Sequence, residues 1–568
     1  MGNCSLSSSD QLFNSSFRNV LAIFVLASLL LLVNLGGLGL TDRDEGSNAE
    51  AAREMLETGD WVSPTLNYEP RFAKPAFVYW IISASYAVFG VNEFSSRLPS
   101  AVFGIGLILL QYGFLSKVGG ARIATLGALM LLLNLEMIGV CRMVLTDPEL
   151  VFFTTLASYS FWLGMESDQP KRWTFFGLYV GIACAMLAKG PVGMIIPLLG
   201  IIPYLSLTGQ WKSYWQKGYP LLGLLLVGLI AAPWYIAMFT IHGEAYITAA
   251  QANTTGRFAN PMEGHGGTIL FYIPVLLLGF FPWSAFLPMP LYYTLKGMAS
   301  FRTISNDGTS EERLAIFSAL WIVGLLIFFT LSATRLPHYI FPLFPASAIL
   351  VALYWDRCLK EQSPLGLTTS KRLLITIGYA LGLALAAAPA VYTTFIDKIT
   401  KEFPAAGQME VQVIPVFLGF LVILGTMGLR YLLASKETRL YGFGVAGGMM
   451  VVLVFVVVVF ALPKFHAYFI DPPQQLASLA GLNLKPEDRL IQFGRKRPSL
   501  VFYAQRKVYQ INPGEDHKFE PHENVSGQKA IVLQSHLRPQ LPVSASDYLL
   551  MQERNGFSLL LSPPSQKK

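Results

Sequence analysis

Residues 41–54 read TDRDEGSNAEAARE, and they follow directly on the apolar run VLAIFVLASLLLLVNLGGLGL at 20–40. An apolar run of that length crosses a bilayer, because in hydrocarbon each backbone amide must be satisfied within its own helix. The chain then leaves the membrane and at once presents Asp42, Asp44 and Glu45. Ionisable groups at membrane depth are costly, so acids in this position are functional candidates from the outset.

Outward from that junction the same pattern recurs. Of 568 residues, 53% are hydrophobic and only 14% charged, which describes a polytopic α-helical membrane protein. Thirteen apolar stretches are long enough to span, from 18–39 to 440–462, and they include 122–140, 147–164, 173–188, 190–207 and 267–290. Only LAKGP divides the fifth from the sixth. The net charge of +7 reads as topology and not as a nucleic-acid surface, since polytopic proteins carry excess Lys and Arg on cytoplasmic loops. With the N-terminus inside, cytoplasmic segments hold seventeen Lys and Arg and the opposite loops, leaving out the C-terminal segment, eleven, five of them in 41–97. The expectation is a multi-pass plasma (inner) membrane protein with a cytoplasmic N-terminus and an external C-terminal segment. The four cysteines are scattered, with no metal-ligand spacing. The start, MGNCSL, reads as a plain cytoplasmic leader, without a cleavable signal or a myristoylation pattern.

The chain divides into a membrane domain, 1–463, and a polar segment, 464–568. Within the first external loop, 41–97, Ser47 and Glu50 fit a capping box, Ala52, Met55 and Leu56 have helical spacing, and Thr58-Gly59 offers a stop. These signals predict a short amphipathic helix lying on the outer membrane surface. A second apolar piece, 76–90, is too short to span and is expected to pack against the bundle. After 464, RLIQFG, KVYQI, KAIVLQ, DYLLMQ and FSLLLS read as strands and PSLVFYAQ as a helix, which predicts a small α/β domain outside the membrane.

Charged groups gather on the external side: Asp42, Asp44, Glu45, Arg71 and Lys74 in the first loop, Glu136, Arg142, Asp147 and Glu149 around the next, then Lys189, then Arg257, Glu263 and His265, then Arg335, His338 and Tyr339. Each has an ordinary reading when taken singly. Lys189 can snorkel from a helix end, and Asp147 before Pro148 can be a helix N-cap. His265 can be a loop residue, Tyr339 an interfacial anchor, and Asp42-x-Asp44 either a metal-binding pair or two solvated acids. As a set they fit displacement of a phosphate leaving group. Lys and Arg stabilise the departing phosphate, while a carboxylate deprotonates the nucleophile or steadies positive charge on a sugar carbon. A helix starting near Ser47 would favour ionised Asp44 and Glu45.

DEGSNAEAAREMLETGDWVSPTLNYEPRFAKPAFVYW, NEFSSRLPSAVFG, TDPELVFF, LAKGPVG and SATRLPHYIFPLFP together resemble the polyprenyl-phosphate-dependent GT-C glycosyltransferases, the group of the lipid A aminoarabinose transferases and protein O-mannosyltransferases. The resemblance runs from about residue 40 to 345 and implies an inverting transferase. Its donor is a polyisoprenyl-phosphate sugar, its acceptor an extracytoplasmic lipid, glycan or protein. By resemblance Asp44, beside Glu45, is the general base and Asp147 its partner in orienting the acceptor. Lys74, Arg257, Arg335, Tyr339 and Lys189 are the donor-phosphate set. The family's metal site, a Glu with a later His, maps onto Ala73 and His265, and Glu69 or Glu263 are the carboxylates left to replace the missing Glu. Asn253 and Thr254 stand where the family has Glu-His, and Ser47 where it has Arg. The competing reading is a transporter or flippase of the lipid-linked sugar, whose marks are paired repeats and ionisable groups at the midplane. Neither is evident, because the charges gather at one face.

Overall fold

The computed structural model describes residues 16–168, 172–261, 266–297, 301, 304, 307–519 and 527–563. It is mostly helical. Seven helices are long and apolar enough to cross a membrane, and two bent pairs bring the total to nine among the described residues, against the thirteen spans expected. The stretches 18–39, 173–188 and 190–207 form the shorter helices Phe17–Leu32, Thr174–Lys189 and Val192–Thr208. The stretch at 147–164 is the helix Asp147–Glu166, which carries two acids in its first turn. The expected span at 122–140 breaks by 63° between Gly120–Leu132 and Leu135–Cys141. Asn134 causes the break: its Oδ1 accepts from the Met137 amide at 2.9 Å, opening the second helix, while its Nδ2 donates to the Leu131 carbonyl at 2.7 Å, closing the first. The stretch at 267–290 turns by 110° between Tyr272–Gly279 and Trp283–Lys296, around Pro282, which has no amide to continue the ladder.

The helix after the first apolar run is Asp44–Thr58, so it begins before the expected Ser47. No side chain caps it, and the expected Ser47/Glu50 capping box does not form. Gly59 ends it as foreseen, in the left-handed conformation with φ 72°. The larger correction is its setting. Every residue from Glu45 to Met55 is buried, so this is an interior helix and not one lying on a surface. Its small residues let neighbours close in. Ser83 and Tyr86 of the helix Phe77–Phe89 donate to the carbonyls of Ala52 and Ala49 at 2.8 and 3.2 Å. On another side a Cβ added to Gly46 would stand 2.6 Å from the Ser499 nitrogen. The polar positions are satisfied internally: Glu50 pairs with Arg53 at 2.7 Å, and Glu54 accepts from the Tyr68 amide at 3.0 Å. The apolar piece at 76–90 is the helix Phe77–Phe89, packed as expected.

The last apolar helical stretch, Lys436–Phe469, runs past residue 463. Beyond it lies a five-stranded sheet in the order Val508–Ile511, Arg489–Phe493, Lys529–Gln534, Phe557–Leu561, Leu549–Arg554. The first two pairings are parallel and the last two antiparallel. Helices Asp471–Asn483 and Pro498–Ala504 cover one face through Leu476, Ala480, Leu500 and Val501. The five strands and the helix Pro498–Ala504 fall on the stretches read from the sequence, whereas the helix Asp471–Asn483 is additional to them.

Candidate active site

A loop and a helix start are drawn together by the acids at the head of the Asp44–Thr58 helix. Glu45 Oε1 accepts from the Val144 amide at 3.1 Å, and Asn48 Nδ2 donates to the Val144 carbonyl at 3.0 Å. This fastens the turn that precedes Asp147. Glu45 is itself held by Arg97, whose Nε donates at 2.8 Å, and by the amide and hydroxyl of Thr41 at 2.9 and 2.8 Å. Burial alone would raise the Glu45 carboxyl, but Arg97 and Thr41 hold it below its ordinary value. Arg97 also donates to the carbonyls of Leu35, Leu38 and Gly39, stitching the end of the first helix to the same node. Glu45, expected from the sequence to be catalytic, does not line the cavity described below, and both its carboxylate oxygens are engaged by Arg97, Thr41 and Val144.

On the far side, Arg257 opens the short helix Arg257–Ala259 after a π-helical stretch, Ala252–Gly256. Its carbonyl and that of Phe258 accept from the amides of Thr334 and Ala333 at 3.1 and 2.9 Å. That backbone pairing brings the 333–339 loop alongside, and Arg257 Nη1 donates to the Tyr339 hydroxyl at 3.3 Å.

Between these two assemblies lies a polar cavity of about 410 Å³ whose walls include Asp44, Lys74, Asp147, Arg257, His338 and Tyr339. The four residues drawn from separate loops, Asp44, Lys74, Asp147 and Arg257, thus share one chamber. Asp147 is not the N-cap of its helix, a position held by Thr146. Its Oδ1 instead accepts from Lys189 Nζ at 2.6 Å, and its Oδ2 stands 3.9 Å from His338 Nε2. Lys189 therefore does not snorkel away. Its ammonium also sits 4.9 Å from the centre of the Tyr339 ring. Lys74 is pushed down to about 7 by burial and by the neighbouring charges of Lys189 and Arg257, against the pull of Asp44 and Asp147.

The chamber shares a wall with an apolar groove of about 620 Å³, and Ala73, Lys74, Asp147, Asn253, Arg257 and Tyr339 belong to both. The groove continues along Phe72, Pro191, Ile195, Trp234, Tyr235 and Phe329. A larger space of about 830 Å³ lies between Tyr68 and the C-terminal segment and contains none of the predicted residues.

Three sequence expectations fall away from this chamber. Arg335 lines neither space: its guanidinium donates to the carbonyls of Gly267 and, at 2.9 Å, Thr330. Asp42 turns from Asp44 and accepts from Arg497 Nη1 at 2.9 Å, so the two acids do not act as a metal-binding pair. Glu69 is exposed and lies 3.7 Å from Lys507, too far out to replace the carboxylate absent at Ala73. His265 and Glu263 lie outside the described residues. Among the described residues no three His, Cys, Asp or Glu side chains converge as a metal requires, and Ala73 meets the cavity with a methyl group. The sequence reading passed over Arg495 and Lys496, which also line the chamber; the run GRKRPS was their only signal.

A chamber ringed by acids and bases thus lies against an apolar groove. Comparisons with known proteins place the chain in a family. The family model for dolichyl-phosphate-mannose-protein mannosyltransferase matches residues 17–247. The undecaprenyl phosphate-alpha-4-amino-4-deoxy-L-arabinose arabinosyl transferase of Pectobacterium carotovorum is 30% identical over 438 residues, 75% of this chain and 73% of that one. The protein of the same name from Edwardsiella ictaluri is 29% identical over 379 residues, so the chain spans 66% of its length, just under two thirds. The crystal structure of ArnT from Cupriavidus metallidurans bound to undecaprenyl phosphate superposes with a TM-score of 0.77 at 21% identity, covering 97% of this chain and 99% of that one. The chain belongs to the ArnT-like, polyprenyl-phosphate-dependent GT-C glycosyltransferase family, and it is an integral membrane protein with that fold.

Proposed function

We propose that this protein is an inverting glycosyltransferase that moves a sugar from a polyisoprenyl-phosphate donor to an extracytoplasmic acceptor. The observation that carries this reading is the shared wall of the chamber and the groove, where Lys74, Arg257 and Tyr339 border both an aqueous and an apolar space. A donor with its head in the chamber keeps its isoprenoid tail in the groove, each buried methylene contributing about 0.8 kcal/mol. Lys74 and Arg257 meet the phosphate, with the Tyr339 hydroxyl as a third contact. Lys189 serves indirectly, by holding Asp147. The acceptor oxygen approaches C1 of the sugar from the side opposite the phosphate. Asp44 takes its proton as the new C1–O bond forms and the C1–O bond to phosphate breaks, and Asp147 orients the acceptor. The leaving phosphate gains a negative charge, which Lys74 and Arg257 stabilise as it develops.

The orientation follows the bias of Lys and Arg: N-terminus cytoplasmic, chamber and residues 464–568 outside a plasma (inner) membrane. Residues 1–463 form the membrane unit in this reading, and the 41–97 loop belongs to its catalytic face. The acceptor is a membrane lipid, a glycan or a protein. Mass spectrometry of envelope lipids and glycoproteins with and without the protein tests the reading, the expected result being a difference of one sugar residue on one of them. Reconstituted vesicles separate it from lipid-linked sugar transport: Asp44→Asn stops sugar transfer in a transferase and leaves lipid movement intact in a flippase.

A further inference from the structure

The polar chamber carries more positive charge than a donor uses. Six Lys and Arg side chains line it against two carboxylates, an excess of four. A sugar phosphodiester carries one negative charge. Two of the six, Arg495 and Lys496, come from the C-terminal segment, are exposed, and among the described residues have no side-chain hydrogen bond or ion pair. They border the polar chamber and are absent from the walls of the apolar groove, whereas Lys74 and Arg257 border both.

Their presence there is built in. Gly494 turns with φ 109°, a conformation that other residues rarely adopt, and Gln492 Oε1 accepts from the Arg497 amide at 3.2 Å to shape the loop. The next residues fasten the loop to the head of the Asp44–Thr58 helix, where Arg497 Nη1 and the Ser499 amide donate to Asp42 at 2.9 and 3.3 Å. Two further ties hold the same unit down: Tyr503 donates to Glu93 at 2.8 Å, and Asn67 exchanges hydrogen bonds with both backbone groups of Val508 at 2.8 and 2.9 Å. A loop docked at this many points holds the backbone of these two residues at the chamber wall.

The geometry points to a second anion subsite in which Arg495 and Lys496 of the C-terminal segment hold an anionic group of the acceptor, on the side of the chamber away from the lipid groove. This rests on the glycosyltransferase reading above and adds to it that the C-terminal segment completes the site and selects acidic acceptors. The acceptor's charge is met by two cations that play no part in holding the donor phosphate, so acceptor and donor recognition are separable by substitution.

The test uses the full chain in lipid nanodiscs, with undecaprenyl phosphate as the donor-side probe and inorganic pyrophosphate, added to the protein already holding undecaprenyl phosphate, as the acceptor-side probe. The double variant Arg495→Ser/Lys496→Ser is expected to weaken pyrophosphate binding by about tenfold, the size of two half-screened ion contacts. Its affinity for undecaprenyl phosphate should stay within about twofold of the parent, which also shows that the site is folded. Equal pyrophosphate affinity in parent and variant, or no pyrophosphate binding by the parent, overturns the subsite. A parallel loss of undecaprenyl phosphate affinity overturns it too, by assigning these cations to the donor. Lys74→Ala distinguishes the underlying reading: if it leaves undecaprenyl phosphate affinity unchanged, the donor site is wrong, whatever pyrophosphate does.

Discussion

Lys189 Nζ lies 2.6 Å from Asp147 Oδ1, joining the last turn of one helix to the first turn of another where the apolar groove meets the chamber. Both side chains are largely sequestered, at 11% and 3% exposure, so water screens the pair only weakly. Removing one partner of such a pair costs about 3–5 kcal/mol, because the other charge stays buried and uncompensated. Lys189→Met is therefore expected to lower the thermal midpoint of the purified protein sharply, and Asp147→Asn/Lys189→Met to recover most of that loss while remaining inactive. If the double variant melts as low as the single one, the pair is not the source of the effect.

Asp44 lines the chamber at the head of its helix, and its proposed task is proton removal. Asp44→Asn keeps the shape and removes the base. Sugar transfer is expected to fall by about 10²–10⁴-fold, the usual contribution of a positioned general base. Undecaprenyl phosphate binding and the melting curve should be unchanged.

Lys74 has a pKa of about 7 in the free protein, lowered by burial and by Lys189 and Arg257. A lysine holds phosphate as an ammonium. Below that pH the proton is already in place, and above it donor binding must draw the proton from solution. Affinity for undecaprenyl phosphate is therefore expected to drop as pH rises through 7 towards 9, by up to about tenfold per unit. Lys74→Arg stays charged throughout, so the ratio of parent to variant affinity isolates this effect from titration of the phosphate itself. A ratio that does not change with pH would remove Lys74 from the donor site.

Glu45 and Arg97 form a buried node that also holds Val144 and the carbonyls of Leu35, Leu38 and Gly39. Arg97→Met leaves Glu45 without its counter-charge and is expected to destabilise by about 3–5 kcal/mol, read as a lowered melting midpoint. Glu45→Gln should keep measurable transfer in the fraction that folds, unlike Asp44→Asn. That contrast between adjacent acids checks the assignment of one to position and the other to chemistry.

The sequence by itself determined the membrane class, a helix after the first apolar run that ends at Thr58, the alternation of strands and helix after 464, and the list of ionisable residues from which the site is drawn. These follow from local physics: apolar length, hydrophobic period, and the cost of charge beside lipid. Apolar length did not show where helices break, because a break such as that at Asn134 depends on one side chain capping in two directions, which hydropathy does not register. Only the tertiary structure decided which charges do what. Asp42, Asp44 and Glu45 sit within four positions of one another, yet Asp42 clasps Arg497, Glu45 is consumed by Arg97 and Thr41, and Asp44 alone faces the chamber. Arg335 and Arg257 are equally basic in sequence, but only Arg257 reaches the cavity. The reason is that a charged side chain's role is set by the partners that satisfy it, and those partners lie as many as 455 residues away along the chain.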